Sequence, residues 1–211
     1  AKHAAESGAE AICCVPPFFY SQKDEAIVDH YKAVAEAANL PFYVYNLPQS
    51  TGVEITVDLM TKIKNSVPQL AGLKHSSINF QNVREWERMG LKCFIGSSML
   101  MLPALTLGAI GCIDGPPSAA PELWVDIWNH WKNGNIEEAI KAQKRASLFT
   151  ELMREVGVHS GTKAVLSERL GIDCGSGRLP NPPLEGSDRD YVLDKVKALG
   201  IEKVTVVASG D

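Results

Sequence analysis

The sequence lacks any apolar run long enough to cross a membrane as a helix. An apolar stretch at residues 99–113 is interrupted by Pro103, Gly108 and Gly111. It is also shorter than the ~20 residues that a membrane-spanning helix needs. These breaks divide the stretch into a predicted helix and a predicted strand, and we expect no membrane partner.

The sequence also lacks cysteines at the paired spacings that are typical of metal sites. The five cysteines are odd in number and show no spacing of the kind that binds a metal. Four of them, Cys13, Cys14, Cys93 and Cys112, lie in apolar, strand-like segments, where a thiol behaves as a small hydrophobic group. We therefore expect buried, reduced thiols and no metal site, as in a cytoplasmic protein.

Positive charge is not in excess, and no glycine-rich phosphate loop follows any predicted strand. The formal net charge of −4 gives no reason to expect nucleic acid or an anionic membrane as a partner. The missing phosphate loop argues against a nucleotide-binding sheet. The composition, 45% hydrophobic and 22% charged, is typical of a soluble globular protein.

Short apolar segments alternate with helical patterns, which is typical of parallel α/β architecture. The predicted strands are residues 11–15, 42–46, 71–74, 93–95 and 110–114. The helices predicted to follow them are residues 24–38, 57–63, 81–89 and 98–107. Because the strands are continuously apolar, we expect both faces of the sheet to be buried.

After the last predicted strand the alternation stops. Four helices are predicted there, at residues 121–132, 135–156, 162–170 and 189–199. We therefore predict a β/α region at residues 1–118 and a helical region at residues 119–211. Five β/α units do not close an eightfold barrel, which needs ~250 residues. The chain is either an open sheet or the later part of a barrel, and the helix-like start that ends at Gly8 favours the barrel.

Two residues at strand ends suggest covalent chemistry. Lys74 ends one predicted strand, and Tyr45 takes the equivalent place one unit earlier. A neutral lysine amine adds to a ketone to form an iminium, which accepts electrons when a neighbouring C–C bond breaks. A nearby phenol can carry the protons that this reaction moves. The alternatives are a solvated lysine and an ordinary strand tyrosine such as Tyr43; the end of a barrel strand, where catalytic side chains lie, favours the chemical interpretation.

Several short motifs follow the predicted strands in order. They are Val15-Pro16-Pro17-Phe18-Phe19, Tyr45-Asn46-Leu47-Pro48 with Thr51-Gly52, Gly72-Leu73-Lys74, Phe94-Ile95-Gly96, Gly108-Ala109-Ile110-Gly111 and Arg178-Leu179-Pro180. Each motif is weak alone. In this order and at these intervals, over nearly the whole chain, they resemble the pyruvate-dependent aldolase superfamily that includes N-acetylneuraminate lyase and dihydrodipicolinate synthase.

The resemblance implies a (β/α)8 TIM barrel with a C-terminal helical extension, of which roughly strands 4 to 8 are present in this chain. It implies that Lys74 is the Schiff-base lysine, that Tyr45 is the acid/base tyrosine, and that no cofactor or metal is needed. The family segment of Gly-Thr-Thr-Gly-Glu type, which holds the pyruvate carboxylate, is absent from this sequence. A homo-tetramer or dimer of dimers in the cytoplasm is implied as well.

Departures from the family pattern bear on the substrate. Ser50 stands where dihydrodipicolinate synthases usually have an arginine, and Phe19 where they use a tyrosine. Ser98 and Met99 replace an Asp-Glu pair that binds sugar hydroxyls in sialic acid lyases. We therefore expect a smaller 2-keto acid, such as a 2-keto-3-deoxy-aldonate, to be cleaved to pyruvate and an aldehyde. A dehydratase of the same superfamily and a non-catalytic keto-acid-binding or oligomerising relative are the alternatives.

Four further residues are candidates for substrate binding. Gly96 would let the backbone approach the ligand, although a tight turn also explains a glycine. Ser98 could bind hydroxyls or cap the helix that begins there, and capping is favoured. Asp114 places a carboxylate at the end of the last predicted strand. Ser76 follows Lys74 closely and could equally be a turn residue.

Overall fold

The computed structural model describes residues 1–204, which divide into two compact units, residues 1–113 and the residues from Asp114 onward. The first unit alternates strands with helices, and the second is helical. The end of the predicted helical region, residues 205–211, lies outside the described residues.

The first unit is built on a five-stranded sheet in the order β1-β2-β3-β4-β5, with every neighbouring pair parallel. Its strands are β1 Ile12–Cys14, β2 Phe42–Asn46, β3 Leu70–His75, β4 Lys92–Ile95 and β5 Gly111–Cys112. Its helices are α1 Lys2–Glu6, α2 Asp24–Ala38, α3 Pro48–Thr51, α4 Val57–Ser66, α5 Asn82–Arg88 and α6 Met101–Thr106, with a 3-10 turn at Ser98–Leu100 before α6. The predicted parallel α/β sheet is confirmed.

Local sequence signals account for these helix bounds. Thr56 caps α4, since its hydroxyl accepts a hydrogen bond from the backbone N–H of Leu59 at 3.2 Å. Helix α2 ends where Asn39 adopts a left-handed conformation with φ of 50°, a conformation that asparagine tolerates better than most residues. Its inward stripe then packs against the sheet, with Tyr31 fully buried.

The two faces of the sheet have different environments. Phe42, Val44 and Leu73 point to the side covered by the helices of this unit, which we call the helix face, and all three are 0% exposed. Tyr43 and Lys74 point to the other side, which we call the groove face, and both are half-buried. The expectation that both faces are buried is therefore wrong for the groove face, because the helices of the unit pack against the helix face alone.

The pairing of β2 with β3 contains a register shift. Phe42 pairs with Leu70, but Tyr43 pairs with Gly72, so Ala71 is an extra residue in β3. Gly72 is buried at this shift, where a Cβ would collide with the backbone carbonyl of Lys92 and with the ring of Tyr43. A glycine is thus required at this position for steric reasons.

Up to residue 204, the second unit contains four helices after a 3-10 turn at Pro116–Ser118: α7 Glu122–Lys132, α8 Ile136–Glu155, α9 Val158–Leu170 and α10 Gly186–Ala198. Arg169 connects its parts. The guanidinium donates to the Glu122 carboxylate, to the carbonyl of Ala119 and, at 2.9 Å, to the carbonyl of Glu202. With 8% of its surface exposed, Arg169 is a buried charge whose hydrogen bonds are satisfied. Across the described residues, no helix combines the length and the apolar character needed to span a membrane.

Replacing Gly72 with alanine is expected to destabilise the protein by about 3 kcal/mol, because the added methyl group meets backbone atoms that cannot rotate away. Gly111→Ala in β5 is the matched control, since a Cβ there lies 3.4 Å from the Phe94 ring, an ordinary contact distance. Urea unfolding of both variants measures the difference. Equal stability of the two variants would contradict the assigned packing at Gly72.

Candidate active site

A shallow groove of about 290 Å³ lies on the groove face. It is lined by Ala11, Ile12, Cys13, Tyr43, Lys74, Phe94 and Ile113. Two larger cavities, of about 650 and 600 Å³, lie within the second unit and contain neither Lys74 nor Tyr45 among their lining residues. The groove is therefore the cavity that holds a residue predicted from sequence to be catalytic.

Lys74 and Tyr45 lie side by side at the C-terminal ends of adjacent parallel strands. Tyr45 of β2 pairs directly with Lys74 of β3. The Lys74 Nζ atom lies over the Tyr45 ring, 4.1 Å from its centroid, within the range of cation–π attraction. The structure thus brings together the two residues that the sequence singled out, each half-buried, with the amine facing the groove.

Cys13 also faces this groove, which the sequence did not predict. It is exposed, so the expectation of a buried thiol is wrong for Cys13, whereas Cys93 is buried as expected. Cys13 pairs with Tyr43 in the sheet and shares the groove face with it. Desolvation by the apolar groove walls raises the pKa of the Cys13 thiol to about 11, and the nearby positive charge of Lys74 opposes that rise. The register that sets Cys13 beside Tyr43 is a property of the fold, and the sequence carries no signal for it.

Two of the predicted substrate-binding residues pack against each other. A Cβ on Gly96 would overlap the Ser76 hydroxyl, so the close approach of Ser76 explains a glycine at this position without a ligand. The Ser76 Oγ atom is itself buried and has no hydrogen-bond partner among the described residues. Ser76 and Gly96 follow β3 and β4 directly. Their roles toward a substrate remain predictions.

The other two candidates lie in different places. Ser98 is fully buried at the start of the 3-10 turn. Asp114 begins the second unit, where its Oδ1 atom accepts a hydrogen bond from the backbone N–H of Gly115 at 2.8 Å. Neither lines the groove that holds Lys74. In the loop after β1, Phe19 has a φ of 80° and is 85% exposed, beside the exposed ring of Tyr20.

On the helix face, directly behind the Lys74–Tyr45 pair, lies a polar cluster that the sequence did not reveal; all its members are buried except the half-buried Glu54. We call it the His75 network; its members are Asn46, Glu54, His75, Ser77 and Trp86. The Asn46 Nδ2 atom donates to the Glu54 carboxylate at 2.9 Å and lies 3.3 Å from His75 Nδ1. Ser77 donates to the same carboxylate at 2.8 Å. Trp86 Nε1 donates to His75 Nδ1 at 3.3 Å.

These partners determine the protonation state of His75. Both groups that face Nδ1, the indole N–H of Trp86 and the amide NH₂ of Asn46, are donors. Nδ1 must therefore accept, and the ring proton sits on Nε2, which lies 3.1 Å from the carbonyl oxygen of Asn79. Desolvation lowers the pKa of His75, although the Asn79 carbonyl and the charge of Glu54 oppose this. His75 is thus a neutral ring with a fixed tautomer.

The structure defines a protein of the parallel α/β class in which a lysine and a tyrosine stand at paired strand ends. Residues 1–199 match the dihydrodipicolinate synthetase family. The chain belongs to that family, which confirms the resemblance seen in the sequence.

Individual relatives show the extent of the similarity. An uncharacterised DapA-like lyase of Halobacterium salinarum is 31% identical over 203 residues, covering 95% of this chain and 66% of the relative. An N-acetylneuraminate lyase of Mediterraneibacter gnavus is 27% identical and covers 94% and 65%, respectively. The structure of a wild-type sialic acid aldolase from Ruminococcus gnavus superposes with a TM-score of 0.88 at 27% identity, covering 94% of this chain and 68% of that one. The chain spans about two thirds of the length of these curated relatives.

The stability of the protein is expected to fall as the pH is lowered from about 7.5 to about 5. Because burial lowers the pKa of folded His75 below its unfolded value of about 6.5, the unfolded chain binds more protons in this range. Protonation would also put a hydrogen on Nδ1, where it would face the N–H donors of Asn46 and Trp86. The check is the free energy of urea unfolding as a function of pH.

His75→Asn is the matched variant, since it keeps an acceptor oxygen near the Nδ1 position and has no proton to gain. Its stability should depend less steeply on pH than that of the wild type over the same range. Parallel slopes for the two proteins would contradict the assignment of a neutral, desolvated His75.

Proposed function

We propose that the protein is a Schiff-base-forming lyase that cleaves a 2-keto acid to pyruvate and an aldehyde. The observation that carries this proposal is the Lys74 amine over the Tyr45 ring, 4.1 Å from its centroid, at paired strand ends. Membership of the dihydrodipicolinate synthetase family supports it. We further propose that the five strands correspond to five of the eight strands of a closed barrel, in keeping with their parallel order.

The first half of the proposed reaction forms a covalent intermediate. The Lys74 amine attacks C2 of the keto acid, and loss of water gives an iminium. Attack requires the uncharged amine, so a proton leaves Nζ before the C–N bond forms. The nearby Tyr45 phenol is placed to exchange the protons of the carbinolamine, whose oxygen departs as water.

The C3–C4 bond can then break because the iminium accepts its electron pair. Tyr45 gives its phenol proton to the carbinolamine oxygen that departs as water. The phenolate left behind then takes the proton of the C4 hydroxyl, the C4–O bond becomes a carbonyl, and the C3–C4 bond breaks. Its electron pair moves through C3 and C2 onto the Lys74 nitrogen and gives an enamine. Protonation at C3 and hydrolysis of the C–N bond then release pyruvate and restore the amine.

The substrate we propose is a small sugar-derived acid, such as a 2-keto-3-deoxy-aldonate. Ser50, in the place of the arginine of the synthases, is an exposed residue of α3. Ser98 and Met99, in place of the sugar-binding Asp-Glu pair, offer no carboxylate to a polyol. Both departures favour a substrate that makes fewer charged contacts. A homo-tetramer or dimer of dimers in the cytoplasm also remains part of the proposal.

The same iminium could lose water instead of breaking a C–C bond, which is the dehydratase alternative. Product analysis separates the two activities, because a lyase releases pyruvate from the substrate and a dehydratase keeps its carbon chain intact. A protein that only binds keto acids would form neither product and no covalent adduct.

Incubation with pyruvate and borohydride is expected to add one reduced pyruvyl group to the intact protein, on Lys74. Lys74→Arg should form no adduct, since a guanidinium is not a nucleophile at neutral pH, yet it keeps the positive charge. Intact mass spectrometry and peptide mapping make the measurement. An adduct on another lysine, or none on folded wild-type protein, would refute the proposed chemistry.

Tyr45→Phe is expected to lower the rate of pyruvate release from 2-keto-3-deoxy-aldonates by about 100-fold or more, because it removes the group that moves the C4 hydroxyl proton. The adduct with pyruvate should still form on Lys74 in this variant, more slowly. Coupled oxidation of NADH by lactate dehydrogenase measures the released pyruvate. A wild-type rate of release would show that Tyr45 is not the proton carrier.

A further inference from the structure

The His75 network and the Lys74–Tyr45 pair lie on opposite faces of the sheet, at the ends of the same two strands. Tyr45 pairs with Lys74, and the next residues in each strand, Asn46 and His75, pair with each other. Because successive side chains in a strand point to opposite faces, the second pair lies directly behind the first. Asn46 and His75 are both 0% exposed.

The hydrogen bonds of the network admit a single arrangement. The backbone N–H of Ile55 donates to Asn46 Oδ1 at 3.1 Å, so the amide nitrogen of Asn46 must face Glu54 and His75. Trp86 donates to His75 from α5. The network therefore joins β2, β3, α5 and the segment before α4, and a displacement of either strand end leaves a buried polar group without a partner, which is costly.

We propose that His75 is a positioning residue: as the acceptor for Asn46 and Trp86, it holds the ends of β2 and β3 so that the Lys74 amine stays over the Tyr45 ring. This inference rests on the proposed function for its catalytic meaning. His75 does not face the groove and touches no reacting atom in the proposed chemistry. Its effect passes through the backbone of β3 to Lys74, the residue before it.

The size of the expected effect follows from the geometry that covalent catalysis demands. A misplacement of about 1 Å at a reacting group can cost on the order of 100-fold in rate. The amine and the phenol must serve one substrate together, and they are carried by different strands. A loss of alignment between those strands therefore slows adduct formation even if the protein stays folded.

The test compares His75→Leu with His75→Asn. The two replacement side chains have similar shape and size, but only asparagine places an oxygen acceptor near the position of Nδ1. Both lose the contact between Nε2 and Asn79. Val44→Ala is a further control, because Val44 is a fully buried residue of the helix face in β2 that belongs to no part of the network. It lowers stability without removing a hydrogen bond.

Two readouts are used on the full chain. The first is the rate of borohydride trapping with pyruvate. The second is the resonance of the Lys74 Cε carbon and its protons in protein labelled at ¹³Cε-lysine, assigned with Lys74→Arg. The Tyr45 ring, 4.1 Å below Nζ, shifts these proton signals upfield through its ring current, and this shift does not depend on any reaction.

His75→Leu is expected to slow trapping by about tenfold or more and to move the Lys74 proton signals towards those of a free lysine. His75→Asn should bring the trapping rate to within about threefold of the wild-type rate and return the Lys74 proton signals towards their wild-type positions. Val44→Ala should leave the rate and the signals unchanged. Unchanged Lys74 signals in folded His75→Leu would overturn the inference, as would equal slowing in Val44→Ala.

If His75→Leu does not fold, Trp86→Phe serves instead, since it removes one donor to His75 and keeps an aromatic ring in the core. It should produce the same two changes to a smaller degree, and wild-type behaviour of both readouts would overturn the inference. If wild-type protein forms no adduct, the proposed function fails, and the Lys74 signals alone decide whether His75 positions the pair.

Discussion

The register between β2 and β3 is the constraint on which the candidate site depends. Between Phe42 and Tyr43 the pairing shifts by one residue, because β3 contains Ala71 as an extra residue. Without this shift, Tyr45 would pair with Leu73, and Lys74 would stand opposite Asn46. A slip of one residue moves every following side chain to the other face of a sheet. The irregularity thus aims Lys74 at the groove and His75 at the helices, as bulges near functional sites commonly do.

Gly72 and the His75 network fix that register from its two ends. Gly72 lies at the start of the shifted segment, where only a residue without Cβ lets β3 approach β4 at Lys92. The network lies at the end of the segment, where the Asn46–His75 contact requires that these two positions stay opposed. Steric exclusion at one end and hydrogen bonding at the other leave the intervening Lys74 little freedom to move. Rigid placement of a reactive group by residues that never touch the substrate is the usual arrangement in enzymes.

The sequence predicted the elements better than the relations between them. Strand β2 and helix α2 have the predicted bounds, because apolar periodicity and end signals are local. The extra residue at Ala71 was not predicted, since it appears only in the pairing of β2 with β3, which the fold brings together. The roles of Asn46 and His75 were missed for the same reason: Glu54 and Trp86, which satisfy them, are brought close only by the fold. Cys13 was assigned to the core because apolar strand composition cannot tell which face of a sheet the helices cover.

The sequence likewise indicates the type of chemistry more directly than it indicates the substrate. Iminium chemistry needs an amine and a proton carrier close together. In this sequence Lys74 and Tyr45, at adjacent strand ends, are enough to suggest it. In the proposed reaction, selection among keto acids depends on groups held by the loops and turns that follow the strands, such as Phe19, Ser50 and Met99. Loops vary more freely than the strands that support them. Under this proposal, substrate-selecting residues can change while the register of β2 and β3 is kept. Phe19, Ser50 and Met99 differ from the residues that the resemblance implies for the two related activities. If the strand ends carry the reaction and the loops carry recognition, as we propose, new substrates can be acquired without rebuilding the Lys74–Tyr45 pair.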